Sequence, residues 1–271
     1  MHILVTNDDG IESPGLWHLA GALRAAGLGT VTIIAPDQER SGAGTSVPPQ
    51  LEGDLVPVPP LAPQFEGIDA WASTGTPTSC VTVAMLEVVS PRADVVVSGI
   101  NLGLNTGGNV TISGTVGAAM AGSLWGVPGL AVSVDFERGA PVAWETAAWA
   151  AAQLFPLLSR FGQHGGRHPL VWNVNVPNAP SPAAVRGFRQ TDLAEVFYGT
   201  VLRVGEVRPN SRNGHRIRFA FDRDRLPRDV APQLDYGAIQ AGYVSVTLLA
   251  PVSVHPAPAL NAALETLGVA P

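Results

Sequence analysis

Short apolar runs that stop at polar, glycine-bearing loops recur through the first two thirds of the chain, separated by stretches of helical spacing. His2 to Thr6 (HILVT) reads as a strand ending at Asn7-Asp8-Asp9-Gly10. Leu16, Leu19, Ala20 and Leu23 then repeat at the three-to-four spacing of a helix over 15–26. The strand signal returns at 30–35 (TVTIIA), 93–98 (ADVVVS), 129–134 (GLAVSV) and 170–176 (LVWNVNV), with helices expected over 78–89, 115–124 and 143–161. This alternation implies right-handed crossovers and an α/β fold: a doubly wound, mainly parallel sheet with helices on both faces.

The rhythm changes after residue 180. From Val185 to Arg228 polar residues alternate with β-branched and aromatic ones around the turn signal Asn213-Gly214, which predicts a two-stranded ribbon, a C-terminal hairpin extension of the sheet. Such a ribbon has too little apolar surface to stand alone, so it is expected to pack on the main body or on another subunit. A strand over 242–249 and a helix over 260–267 follow. The expected division is a metal- and phosphate-binding core over 1–180, and a ribbon, returning strand and C-terminal helix over 181–271 that complete the fold and make oligomer contacts. The proline-rich stretch 48–63 reads as an extended excursion within the first of these.

Composition narrows the chemistry. With 271 residues, 46% hydrophobic and only 14% charged, the chain can bury strands on both faces. A net charge of -6 offers no basic field for a nucleic-acid polymer, whereas a small phosphorylated ligand can be met by local groups. The single cysteine, Cys80, excludes an intramolecular disulfide and a thiolate metal cluster and fits a cytoplasmic location. Neither a signal segment nor a membrane span is expected.

In an open α/β sheet ligands bind beyond the carboxyl ends of the strands, so the polar residues just after the apolar runs are the informative ones. Adjacent carboxylates such as Asp8 and Asp9 repel unless a cation lies beside them; the same Asp-Asp-Gly also reads as a simple polar turn. Oxygen donors from Asp8, Asp9, the Ser41 hydroxyl and the Asn101 amide, with the six histidines scattered, point to one Mg²⁺ or Mn²⁺ ion rather than zinc. The stretch 101–115 (NLGLNTGGNVTISGT) is rich in glycine and asparagine, so its backbone N–H groups can approach an anion closely. Ser113, Gly114 and Thr115 then open a helix, as a phosphate site or as an ordinary N-cap. Asn7 stands where an Asp-x-Asp phosphatase needs its nucleophile, and no serine-hydrolase elbow, triphosphate P-loop or dinucleotide fingerprint is present. Attack by water assisted by a metal is what remains.

The ordered set Val5-Thr6-Asn7-Asp8-Asp9-Gly10-Ile11, Pro14-Gly15, Ala35-Pro36-Asp37, Arg40-Ser41-Gly42, Gly75-Thr76-Pro77, Ser98-Gly99-Ile100-Asn101 and Ser113-Gly114-Thr115-Val116 resembles the SurE survival-protein nucleotidases. Asn173-Val174-Asn175-Val176-Pro177 and Gly242-Tyr243-Val244-Ser245-Val246-Thr247 extend the resemblance over nearly the whole chain. It implies a Rossmann-like nucleotidase that hydrolyses nucleoside 5′-monophosphates, with 3′-monophosphates and short polyphosphate as further substrates, through metal-activated water. Asp8, Asp9, Ser41 and Asn101 match the family's metal ligands, one cation per subunit. Asn105, Ser113, Gly114 and Thr115 match its phosphate-contacting region. Asp9, with Asp8 beside it as the second catalytic carboxylate, is the residue expected to orient the water or take its proton. The resemblance also implies a homodimer or homotetramer. Ser79, Ile112 and Ala121 depart from the family pattern, and the alternatives are a phosphatase for other small phosphomonoesters or a nucleotide sensor without turnover.

Overall fold

The computed structural model describes residues 1–47, 52–137, 139–161 and 167–253. The elements follow in chain order as β1 (His2–Thr6), α1 (Pro14–Ala25), β2 (Thr30–Pro36), β3 (Leu55–Pro57), β4 (Asp69–Ser73), α2 (Pro77–Met85), β5 (Val95–Leu102) and α3 (Gly114–Leu124). Then come β6 (Gly129–Val134), α4 (Trp144–Phe161), β7 (Val171–Val176), β8 (Phe188–Gln190), β9 (Leu202–Pro209), β10 (His215–Phe221), α5 (Asp235–Gln240) and β11 (Val244–Leu249). The helix expected over 260–267 lies outside the described residues.

Nine strands form one sheet in the order β3-β4-β2-β1-β5-β6-β7-β11-β8, while β9 and β10 pair separately as an antiparallel ribbon. Strands β4, β2, β1, β5, β6 and β7 run parallel, and β3 and β11 pair antiparallel with β4 and β7. The α/β expectation therefore holds. From β1 the chain winds outward through β2 to β4, then returns to β5 on the other side of β1. The topological switch point, where an open sheet presents its ligand crevice, falls between β1 and β5.

The central strands are buried on both faces because helices cover both. On one side Ile3, Val5, Val97 and Val132 pack with Leu16, Trp17, Leu19 and Leu23 of α1 and with Ala147, Ala151 and Leu154 of α4. On the other, Leu4, Ile34 and Val96 pack with Cys80, Val81 and Ala84 of α2 and Ala118 and Ala121 of α3. Pro14 opens α1, and Gly27, in the left-handed region at φ 67°, ends it.

Several boundaries differ from the pattern-based ones. β5 runs on to Leu102 instead of stopping at Ser98, with a register irregularity against β6 between Ser98 and Asn101. α2 ends at Met85, and Glu87 follows at a positive φ of 58°. The ribbon is confined to β9 and β10, turning at Asn213 with φ 56°, whereas β8, inside the predicted ribbon segment, pairs with β11 in the main sheet. Among the described residues no helix is long and apolar enough to cross a membrane.

Candidate active site

The loop after β1 is shaped before any ligand is considered. Asn7 is fully buried and holds both ends of the turn: its amide donates to the Gly10 carbonyl at 2.9 Å, and its Oδ1 accepts the Gly10 N–H at 3.2 Å. Gly10 sits at φ 98°, and a Cβ there would lie 3.0 Å from the backbone carbon of Gln38, so only glycine lets the loop after β2 pass this closely. The Arg40 N–H donates to the Asp8 carbonyl at 2.7 Å, which carries Ser41 toward the same end of the sheet.

Asp8 is 3% exposed and meets the start of α3, where the Thr115 hydroxyl donates to its Oδ1. A Cβ on Gly114 would fall 2.7 Å from the Asp8 Cβ and 2.8 Å from its Oδ2, so the helix reaches the carboxylate only through glycine. Burial raises the Asp8 carboxyl above its ordinary range, opposed by the Thr115 hydroxyl and by backbone N–H groups that include those of Thr115 and Gly114. Asp9 accepts the Leu102 N–H at 3.2 Å, and burial, with the Asp8 charge next, pushes its carboxyl up to about 7. Two neighbouring carboxyls are thus both disfavoured as anions, the environment that a nearby cation would relieve.

Asp8, Ser41, Asn101, Asn105 and Ser113 border one open cavity of about 1300 Å³. The Asn101 amide donates to the Gly103 carbonyl at 2.6 Å, leaving its Oδ1 as a donor for a metal, and the Ser41 hydroxyl donates to Glu39 at 2.8 Å. Asp9 is not among the residues on this border; the Asp8 carboxylate, the Ser41 hydroxyl and the Asn101 amide that are there supply oxygen donors of the kind a hard divalent cation takes. Among the described residues no cluster of three or more His, Cys, Asp or Glu offers a competing site. Ser113 caps α3, its hydroxyl accepting the Val116 N–H at 3.1 Å. The Asn105 amide donates to Ser133 at 2.9 Å.

The glycine-rich loop is pinned from residues whose role pattern reading missed. Asn175 accepts the Asn105 N–H at 2.8 Å, and Asn173 and Asn175 donate to the Asn105 carbonyl at 2.7 and 3.1 Å. The signal was there: two asparagines two apart in an apolar strand, both fully buried. Asp235, also fully buried, accepts N–H groups from Gly107 at 2.8 Å and Ala194 at 2.9 Å, a contact that nothing local in the sequence announces. Tyr198, Tyr236, Asp135, Arg218 and Phe219 also border the cavity. Of the departures from the family pattern, Ile112 borders the cavity, Ala121 lies in the α3 core, and Ser79 sits in the α2 cap with its N–H donating to the Thr76 hydroxyl at 3.2 Å.

The family model for the survival protein SurE matches residues 3–200, and so spans β1, β5 and the α3 start that build this site. The chain belongs to the SurE family. A Dehalococcoides mccartyi relative named 5′-nucleotidase SurE is 36% identical over 250 residues, covering 92% of this chain and 88% of the relative. A Klebsiella pneumoniae relative named 5′/3′-nucleotidase SurE is 38% identical over 249 residues, covering 92% and 90%. The crystal structure of the SurE protein from Aquifex aeolicus superposes with a TM-score of 0.76 at 27% identity, covering 98% of this chain and 99% of that one.

Proposed function

We propose that the chain is a metal-dependent nucleotidase that hydrolyses nucleoside 5′-monophosphates, and also 3′-monophosphates and short polyphosphate, to release phosphate. Family membership and the names of the relatives support the nucleotidase reading. The observation that carries the site assignment is the Asp8-Asp9 pair at the sheet's switch point, Asp8 buried and Asp9 half-buried, with Asn101, Asn105 and Ser113 on the border of the same cavity as Asp8.

Asp8, Asp9, Ser41 and Asn101 would hold one Mg²⁺ or Mn²⁺ ion per subunit. Such an ion, when bound, supplies Lewis-acid stabilisation of phosphoryl charge and acidifies water. Thr115 and Gly114 fix the Asp8 carboxylate against rotation. Asp9, next to Asp8 and held by the Leu102 N–H, is the carboxylate proposed to orient the attacking water or take its proton. Asn105 and Ser113, on the cavity border at the amino end of α3, would meet the phosphate, where the helix dipole favours negative charge, while Gly114 and Thr115 behind them are turned onto Asp8.

Exposed Val204, Val207 and Ile217 on the ribbon support assembly into a homodimer or homotetramer, and the lone buried Cys80 suits a reducing cytoplasm. The test of substrate class is a panel assay of phosphate release. Nucleoside 5′- and 3′-monophosphates, sugar phosphates and tripolyphosphate are compared with Mg²⁺, with Mn²⁺ and with chelator. Metal-dependent turnover favouring nucleotides is the expected result. Preferential turnover of sugar phosphates would favour a general phosphomonoesterase, and nucleotide binding without release would favour a sensor.

A further inference from the structure

The ribbon contributes three consecutive residues, Arg218, Phe219 and Ala220, to the border of the cavity that holds Asp8 and Asn101. They lie where the ribbon's ladder slips: Arg218 pairs with Glu206 and Phe219 with Val204, so Gly205 has no partner across the ladder. A bulge of this kind increases the local twist and re-aims side chains, and bulges concentrate beside ligand sites for that reason. Phe219 is 61% exposed, a large ring left uncovered at the cavity rim. Glu206, opposite Arg218, is held by Arg208 at 2.5 Å, and Arg218 makes no ion pair among the described residues.

Other rings share this border. Tyr198 is fixed by its hydroxyl, which donates to the Leu104 carbonyl at 3.2 Å, and by its N–H, which donates to Asn109 Oδ1 at 2.8 Å; Tyr236 lines the cavity as well. The cavity therefore combines a polar, carboxylate-bearing border with aromatic rings and an unpaired guanidinium. A ligand with a phosphate at one end and a flat, hydrogen-bonding ring at the other matches both.

Resting on the nucleotidase reading, we infer that Phe219 and Arg218 form the subsite for the nucleobase. Phe219 stacks on the ring, and Arg218 donates to acceptor atoms on the base edge. These residues then set how strongly a nucleotide is preferred over a phosphomonoester without a base.

The test compares kcat/KM for adenosine 5′-monophosphate with that for ribose 5-phosphate in the full-length protein. In Phe219→Ala the ratio is expected to fall roughly tenfold, the scale of one lost base stack, through KM rather than kcat, and Phe219→Trp is expected to restore it. Arg218→Gln is expected to lower the ratio by about threefold, the scale of one hydrogen bond. An unchanged ratio in Phe219→Ala, with a wild type that favours the nucleotide, overturns the inference alone. The same holds if Phe219→Ala changes only the molar mass by light scattering, which would make this face an assembly surface. A wild type that turns over ribose 5-phosphate as well as the nucleotide overturns both this subsite and the nucleotidase reading beneath it.

Discussion

The Thr115 hydroxyl donates to Asp8 Oδ1 across 107 positions of sequence, joining the carboxyl end of β1 to the amino end of α3 inside the protein. This bond fixes which way the carboxylate faces. Groups that orient metal ligands in this way typically contribute 10- to 100-fold to metal affinity. Thr115→Val, which keeps the shape and removes the hydroxyl, is therefore expected to raise the Mn²⁺ concentration needed for half-maximal activity by about tenfold, with activity recovering at saturating metal. A titration of initial rate against metal checks this, and an unchanged half-saturation point would remove Thr115 from the site.

Gly114 makes the same junction sterically. With a Cβ at 2.7 Å from the Asp8 Cβ, Gly114→Ala must displace either the helix start or the carboxylate. A misplacement of about 1 Å in a catalytic group costs on the order of 10²-fold in rate. The variant is expected to keep its circular dichroism spectrum while losing about a hundredfold in turnover. Wild-type turnover would show that the Asp8 position is not critical.

Asp9 links the site to pH. Its folded-state carboxyl is pushed up from 3.8 to about 7, so between those values the folded protein binds more protons than the unfolded chain. Stability therefore falls as pH rises through that window, the reverse of a salt-bridged aspartate. The melting temperature of metal-free protein is expected to drop from pH 5 to pH 8, and added Mg²⁺ or Mn²⁺ to reverse the drop at pH 8, where the ion need not displace a proton. A melting temperature that rises over this range without metal would contradict the assignment.

Much of this was legible in the sequence, and the exceptions have physical causes. β1 and β6 could be placed because each is a run buried along its whole length, bounded by glycine and polar residues. Asp8, Asp9, Ser41 and Asn101 stood out because polar residues at strand ends are where an open sheet holds ligands. β4 (DAWAS) escaped because it alternates without β-branched residues, and α5 because it is only six residues long. The links from Asp235 to Gly107, and from Asn173 and Asn175 to Asn105, are tertiary, with separations of 128, 68 and 70 residues that no local pattern encodes. The ribbon was expected, but its single-residue slip at Gly205 was not, since a bulge depends on which residue fails to pair.

Cys80 offers a control away from the cavity. It lies on α2, fully buried in the cluster that includes Leu4 and Ile34 of the sheet, and burial pushes its thiol up to about 12. Since the thiolate is the reactive form, the folded protein at pH 8 is expected to resist a maleimide reagent at least about a hundredfold longer than the unfolded chain. Rapid labelling without loss of structure, followed by mass spectrometry, would show this packing to be wrong.

The central claim is that the Asp8-Asp9 pair makes the chain a metal-dependent nucleotidase, and its most direct test is phosphate release from adenosine 5′-monophosphate by chelator-treated protein. Wild type and Asp9→Asn are assayed before and after Mg²⁺ or Mn²⁺ is restored. The expected result is negligible release without metal, recovery in wild type, and at least about a thousandfold less in Asp9→Asn at the same metal concentration. Full release in the presence of chelator, or wild-type turnover by Asp9→Asn, would contradict it.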